Sequence, residues 1–134
     1  MTTRRAACSC GQLDLTCEGE PVRVSICHCL ECQRRTGGVF ASQAWFHRHQ
    51  VTAIAGASTR YVRSSDSGNS VAFQFCAVCG STVYWEADSF PGLIAIAVGA
   101  FADPGFPAPK YSVWERRRHH WVDLPSHEPV QHSQ

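Results

Sequence analysis

Polar and apolar residues alternate in short runs along most of the chain. In "QLDLTC" (12–17) Leu13, Leu15 and Cys17 interleave with polar neighbours, and in "PVRVSI" (21–26) Val22, Val24 and Ile26 do the same. A two-residue period is that of a half-buried β-strand, and "EGEP" (18–21) supplies the turn between these runs. "VFASQAWF" (39–46), "VTAIAG" (51–56) and "TRYVRS" (59–64) continue the series, with Gly56, Ala57 and Ser58 placed as a hairpin connection. After the polar "SSDSGN" (64–69), "SVAFQFC" (70–76) sets Val71, Phe73 and Phe75 on one face. "TVYWEA" (82–87) and "LIAIAV" (93–98) follow, joined by the turn "DSFPG". A single helical turn is predicted, near "LECQRRT" (30–36). From residue 102 four prolines interrupt the pattern up to Pro125, predicting an irregular stretch that wraps back over the sheets. The last nine residues, "SHEPVQHSQ", read as a loose tail. These elements predict an all-β fold of antiparallel sheets with little helix. One domain spans residues 1–134, its core covering about 7–125 and its tail 126–134.

Composition narrows the function. The formal net charge is +1, which gives no field for nucleic acid or an anionic membrane surface. "RRRHH" (116–120) therefore reads as a solvated face, with Trp114 and Trp121 packing the tail onto the sheets. Phe40, Trp45, Phe46, Phe73, Phe75 and Trp85 read as core aromatics. The most apolar run, "GLIAIAVGAF" (92–101), is ten residues and too short to span a bilayer. No apolar segment follows Arg4 and Arg5, so no secretory leader is expected and the cytoplasm is the expected location. Phosphate loop, dinucleotide fingerprint and hydrolase elbow are all missing from the sequence.

Eight cysteines remain to be explained. In a reducing compartment they point to metal rather than to disulfides. They fall as Cys8 and Cys10, then Cys27, Cys29 and Cys32, then Cys76 and Cys79, with Cys17 alone in strand alternation as a small buried hydrophobe. Short spacings let neighbouring thiolates reach one ion from a tight turn. Four thiolates close a tetrahedral zinc site, so seven clustered cysteines divide as four plus three. Cys8, Cys10, Cys76 and Cys79 make the closed, structural set. Cys27, Cys29 and Cys32 make a three-ligand set with a fourth position for substrate. An alternative pools Cys29, Cys32, Cys76 and Cys79 into one ribbon-like site. His28, flanked by ligands, reads as a proton shuttle or a hydrogen-bonded support rather than as a fourth ligand.

"CSCG", "CHCLECQRRTGGVF", "FCAVCGS", "PGLIAIAVGAFADP" and "WERRRHHWV" together resemble the glutathione-dependent formaldehyde-activating enzyme family, also called the centromere-protein-V-like family, over about residues 7–125. The resemblance implies a β-tent fold with zinc knuckles. It implies a structural zinc on Cys8, Cys10, Cys76 and Cys79, and a catalytic zinc on Cys27, Cys29 and Cys32. Its named reaction joins glutathione to formaldehyde as S-(hydroxymethyl)glutathione, a carbon–sulfur lyase activity, so glutathione and a small aldehyde are the expected partners. The chain is shorter than the enzymes that name the family, and Tyr111 stands where a His is common.

The chemistry fits: a thiol attacks as thiolate, and zinc supplies the anion at neutral pH. Arg34 and Arg35 are candidates for one glutathione carboxylate, and Thr36, Gly37 and Gly38 for the other through backbone N–H groups. Two non-enzymatic readings stand beside this one: a zinc-stabilised thiol carrier without turnover, and a zinc-ribbon interaction module.

Overall fold

The structure is a computed structural model and describes residues 1–64, 68–124 and 130–134. In chain order the strands are β1 (Thr3–Ala7), β2 (Asp14–Glu18), β3 (Arg23–Cys27), β4 (Ala41–His47), β5 (Val51–Ala55), β6 (Ser58–Ser64), β7 (Ser70–Cys76), β8 (Thr82–Ala87), β9 (Leu93–Ala97), β10 (Tyr111–Val113) and β11 (Gln131–His132). The α-helix α1 (Leu30–Thr36) occupies the predicted "LECQRRT". Strand makes up 45% of the chain, bearing out the all-β expectation. A three-stranded sheet runs β1-β2-β5, and an eight-stranded sheet runs β11-β10-β3-β4-β9-β8-β7-β6. The larger sheet is antiparallel from β3 to β6 and parallel where β10 joins β3 and β11 joins β10.

Strand parity divides the larger sheet into two faces. Ala44 and Phe46 of β4 and Ile94 and Ile96 of β9 pack with Leu15 and Cys17 of the smaller sheet, and with Leu13 just before it, in the main core. Each large side chain buried there stabilises the fold by about 1.5–3 kcal/mol. The opposite face carries Trp45, Phe73 and Trp85 around Ala95. Register sets Trp45 and Trp85 on either side of Ala95, so the alanine lies at the bottom of a depression walled by indoles.

Several expectations are corrected. β5 and β6 do not form a hairpin: β5 pairs with β2 and β6 with β7. The chain changes sheets at Gly56, whose φ is +101°, and a Cβ there would lie 1.9 Å from the Gln12 carbonyl oxygen. Gln12 takes the place of a partner strand, its amide donating to the Ala57 carbonyl at 2.6 Å and accepting the Ala57 N–H at 2.8 Å. β1 carries no alternation, since Ala6 is its one buried residue; its pairing with β2 makes it a strand. The tail is not loose at Gln131 and His132, which extend the larger sheet; residues 125–129 lie outside the described ones, as do 65–67 in the polar loop. Trp114 and Trp121 are 45% and 64% exposed and do not pack the tail onto the sheets. Among the described residues no helix is long and apolar enough to cross a membrane.

Gly56→Ala meets both a clash with backbone and a forbidden φ, so it should lower stability by more than about 2 kcal/mol. Gly92→Ala, at φ +79° with open space around it, should cost only about 1–2 kcal/mol. Urea denaturation of the two variants checks the difference, and equal losses would show that the Gln12 contact yields.

Candidate metal centres and the adjoining cavity

Cys8 and Cys10 lie in the turn after β1, and Cys76 and Cys79 in the turn that ends β7. All four sulfurs are within 4.8 Å of one another, with 3.6 Å from Cys10 to both Cys8 and Cys76. Zinc–sulfur bonds of about 2.3 Å in a tetrahedron set sulfurs about 3.8 Å apart, so this donor set fits such an ion. Backbone N–H groups support the sulfurs: Leu13 donates to Cys8, and Val78 and Cys79 donate to Cys76, each at 3.3 Å. Ser81, 3.4 Å from Cys79, holds that thiol down at about 5. Against the burial that raises it, the N–H of Cys79 and the amide of Gln12 bring Cys76 to about 7.

The second cluster is Cys27, Cys29 and Cys32, again with sulfurs within 4.8 Å. Cys27 closes β3, its position fixed by pairing with Ala41 and Val113. Cys29 is the N-cap of α1, its sulfur accepting the Cys32 N–H at 3.3 Å. Cys32 follows within the first turn and is buried. Among the described residues no fourth His, Cys, Asp or Glu joins them. The pooled ribbon site is excluded, because Cys29 and Cys32 belong to one cluster and Cys76 and Cys79 to the other. The three thiols hold one charge between them. Hydrogen bonds from Cys27 and Cys32 pull Cys29 down to about 2. Its bond to Cys29 pushes Cys27 up, and Cys32, though lowered by Cys27, is raised by Cys29 and by burial.

His28 points away from the cluster. It is fully buried, with Nε2 3.0 Å from Ser112 Oγ. The Ser112 hydroxyl donates to Glu115 at 2.8 Å, so Nε2 donates to Ser112. Burial pushes the His28 pKa down. A histidine so enclosed is joined to the β10 segment through Ser112 and has no exposed surface.

The two arginines after the cluster diverge. Arg34 is exposed and pairs with Glu31 at 3.2 Å. Arg35 turns inward, its guanidinium 4.4 Å from the Trp85 ring and 4.8 Å from that of Phe73. Burial lowers its pKa and the Cys32 sulfur beside it raises it. Thr36, Gly37 and Gly38 are spent on ending the helix: Gly37 N–H donates to Gln33 O at 2.8 Å, Thr36 Oγ1 to Cys32 O at 2.9 Å, and Gly38 N–H to Thr36 Oγ1 at 3.0 Å. Their N–H groups are not free for a carboxylate.

A cavity of about 400 Å³ opens over the three-cysteine cluster. Toward β6–β8 it is lined by Arg35, Arg63, Phe73 and Trp85, and toward β10 and β4 by Trp45, Phe90, Val113 and Trp114. Sequence reasoning assigned Trp45, Phe73 and Trp85 to the core and missed Arg63, Phe90 and Trp114. Parity held a usable signal. Trp45 lies an even number of residues from Ala41, the partner of Cys27, while Phe46 lies an odd number away and faces the core.

A model of the family described as "Glutathione-dependent formaldehyde-activating enzyme" matches residues 3–117. Among solved structures, the crystal structure of a Rhodobacter sphaeroides protein, a structural-genomics target, aligns over 72% of this chain and 85% of that chain, with a TM-score of 0.57 and 22% identity. That likeness is one of fold. No curated protein sequence matches the chain.

At pH 7 the three-cysteine cluster starts with Cys29 ionised and Cys27 and Cys32 protonated, so metal uptake by three thiolates must expel two protons. Affinity at this cluster should therefore rise about a hundredfold per pH unit through neutrality. Zinc titrations of a Cys8→Ser, Cys10→Ser variant in weak buffer with a pH indicator measure the release; about three protons per zinc, the number three ordinary thiols would give up, would contradict the shared-charge arrangement.

Proposed function

The chain belongs to the glutathione-dependent formaldehyde-activating enzyme family, and on that premise we propose that it adds a glutathione-type thiol to a small aldehyde over Cys27, Cys29 and Cys32. The observation that carries this reading is a three-sulfur cluster at the base of a cavity with an inward-turned arginine beside it. In this reading Cys8, Cys10, Cys76 and Cys79 hold a structural zinc. Cys27, Cys29 and Cys32 hold a second zinc, more readily lost because it has three protein ligands rather than four. Zinc at that centre would keep an incoming thiol deprotonated near neutral pH.

The chain's own residues supply orientation. Arg35 is preorganised by Trp85 and Phe73 and lines the cavity, where its guanidinium suits a substrate carboxylate. Arg63 lies 5.1 Å from the Phe73 ring centre, lines the same cavity and adds a second positive charge. Held so, the thiolate sulfur bonds to the carbonyl carbon, the carbonyl π pair moves to oxygen, and oxygen takes up a proton. The product is a hemithioacetal, and the reverse step is a carbon–sulfur lyase reaction. Free thiols at all eight cysteines support a reducing, cytoplasmic setting.

Zinc-loaded protein should accelerate S-(hydroxymethyl)glutathione formation above the uncatalysed rate, and Cys29→Ser should reduce that acceleration at least about a hundredfold. Arg35→Ala should raise KM for glutathione by roughly 10- to 100-fold, whereas Arg34→Ala, on an exposed pair, should change it by less than about threefold. Exchange measurements of formation and breakdown check all three. No acceleration in either direction would overturn the proposed reaction.

A further inference from the structure

Formaldehyde offers no surface for the aromatic half of the cavity to meet. Phe73 and Trp85 are engaged by Arg35. Trp45, Phe90 and Trp114 have no such cation over them among the described contacts. Trp45 and Phe90 meet at a tilt of 44° with 4.7 Å between centroids, and Trp114 is 45% exposed. With Val113, these three rings also line an adjoining cavity of about 310 Å³ that reaches Gln43 and Ser133. Arg23, Ser25 and Gln134 complete that lining, so the space that runs on past the sulfur cluster has one wall of rings and one polar wall.

Trp114 is held there against its own backbone preference. Its φ is 55° and ψ 41°, the left-handed region that a bulky L residue rarely adopts. Full burial does not compensate, since the residue is 45% exposed. The frame around it is rigid. Val113 pairs with Cys27 on one side. On the other, the Glu115 N–H donates to Ser133 O at 3.0 Å, and the Glu115 carboxylate takes Ser112 at 2.8 Å and His132 at 2.7 Å. A strained, exposed indole kept beside a cysteine that holds the reacting centre is a shape built for a ligand.

We propose that the aldehyde taken by this chain bears an apolar, aromatic-sized group, seated among Trp45, Phe90 and Trp114, and that Trp114 sets this preference. The inference rests on the thiol–aldehyde reading above and names its second substrate class. The step is unchanged: the thiol S–H and the aldehyde C=O become C–S and O–H, with no oxidant or reductant.

Two thioether probes read the cavity without turnover, S-benzylglutathione and S-methylglutathione. By calorimetry the wild-type protein should bind the benzyl compound at least about tenfold more tightly, the scale of a well-filled apolar pocket. Trp114→Gly, which relieves the positive φ and so does not threaten folding, should bring the ratio close to one. Phe90→Ala, on an exposed turn, should lower it by about threefold or more. Equal binding of the probes by the wild type, or a benzyl preference that survives Trp114→Gly, would overturn the inference. Turnover of phenylacetaldehyde and formaldehyde with glutathione, run in parallel, separates the two readings. A benzyl preference without turnover of either aldehyde sustains the pocket assignment and defeats the lyase reaction. Turnover with no benzyl preference does the reverse.

Discussion

The site depends on one constraint, the strict alternation of side chains across β4 and β9. On β9 the isoleucines go to the core and the alanines to the other face, and on β4 Phe46 goes to the core while Trp45 does not. Small residues at the centre and indoles to either side make a hollow without any break in the sheet. A register slip of one residue would send every one of these groups to the wrong face. The main core therefore does more than hold the protein together: by demanding Ile94, Ile96 and Phe46, it fixes what the opposite face must present.

The cysteine clusters sit at the edges of this arrangement. The four-cysteine cluster joins the turn after β1 to the turn after β7, beside the Ser9–Ser81 hydroxyl pair at 3.0 Å, so it ties the small sheet to the large one. Gln12 belongs to the same device, donating to the Cys76 sulfur at 3.0 Å while it holds both polar groups of Ala57. One amide thus links a ligand to the point where the chain changes sheets. Along the other edge, the parallel strands β10 and β11 brace the end of β3 from which Cys27 projects.

Much of this was legible from the residues. Alternation located most strands, and the cysteine spacing separated the two clusters correctly, because ligand geometry is local. What failed was non-local. β1 has no hydrophobic period of its own and exists through its partner. Gly56 looked like a hairpin turn because sequence cannot say which sheet a strand joins. Trp45, Phe73 and Trp85 are buried as their alternation predicts, but an apolar residue on a strand looks the same whether or not it also walls a cavity. Arg63 lay on a strand far from the cysteines in sequence, and only strand pairing brought it near Arg35 through Phe73.

Helix α1 is seven residues long, far below the length that sustains a helix in water. Its start is capped by the Cys29 sulfur and its finish by the Gly37 turn, and between them lies Arg35. The same sulfur thus has two duties, as helix cap and as member of the three-thiol cluster. The cap and the cluster therefore share one atom, and the helix that carries Arg35 begins at that atom. Replacing the sulfur removes a cluster member and a helix cap in one change.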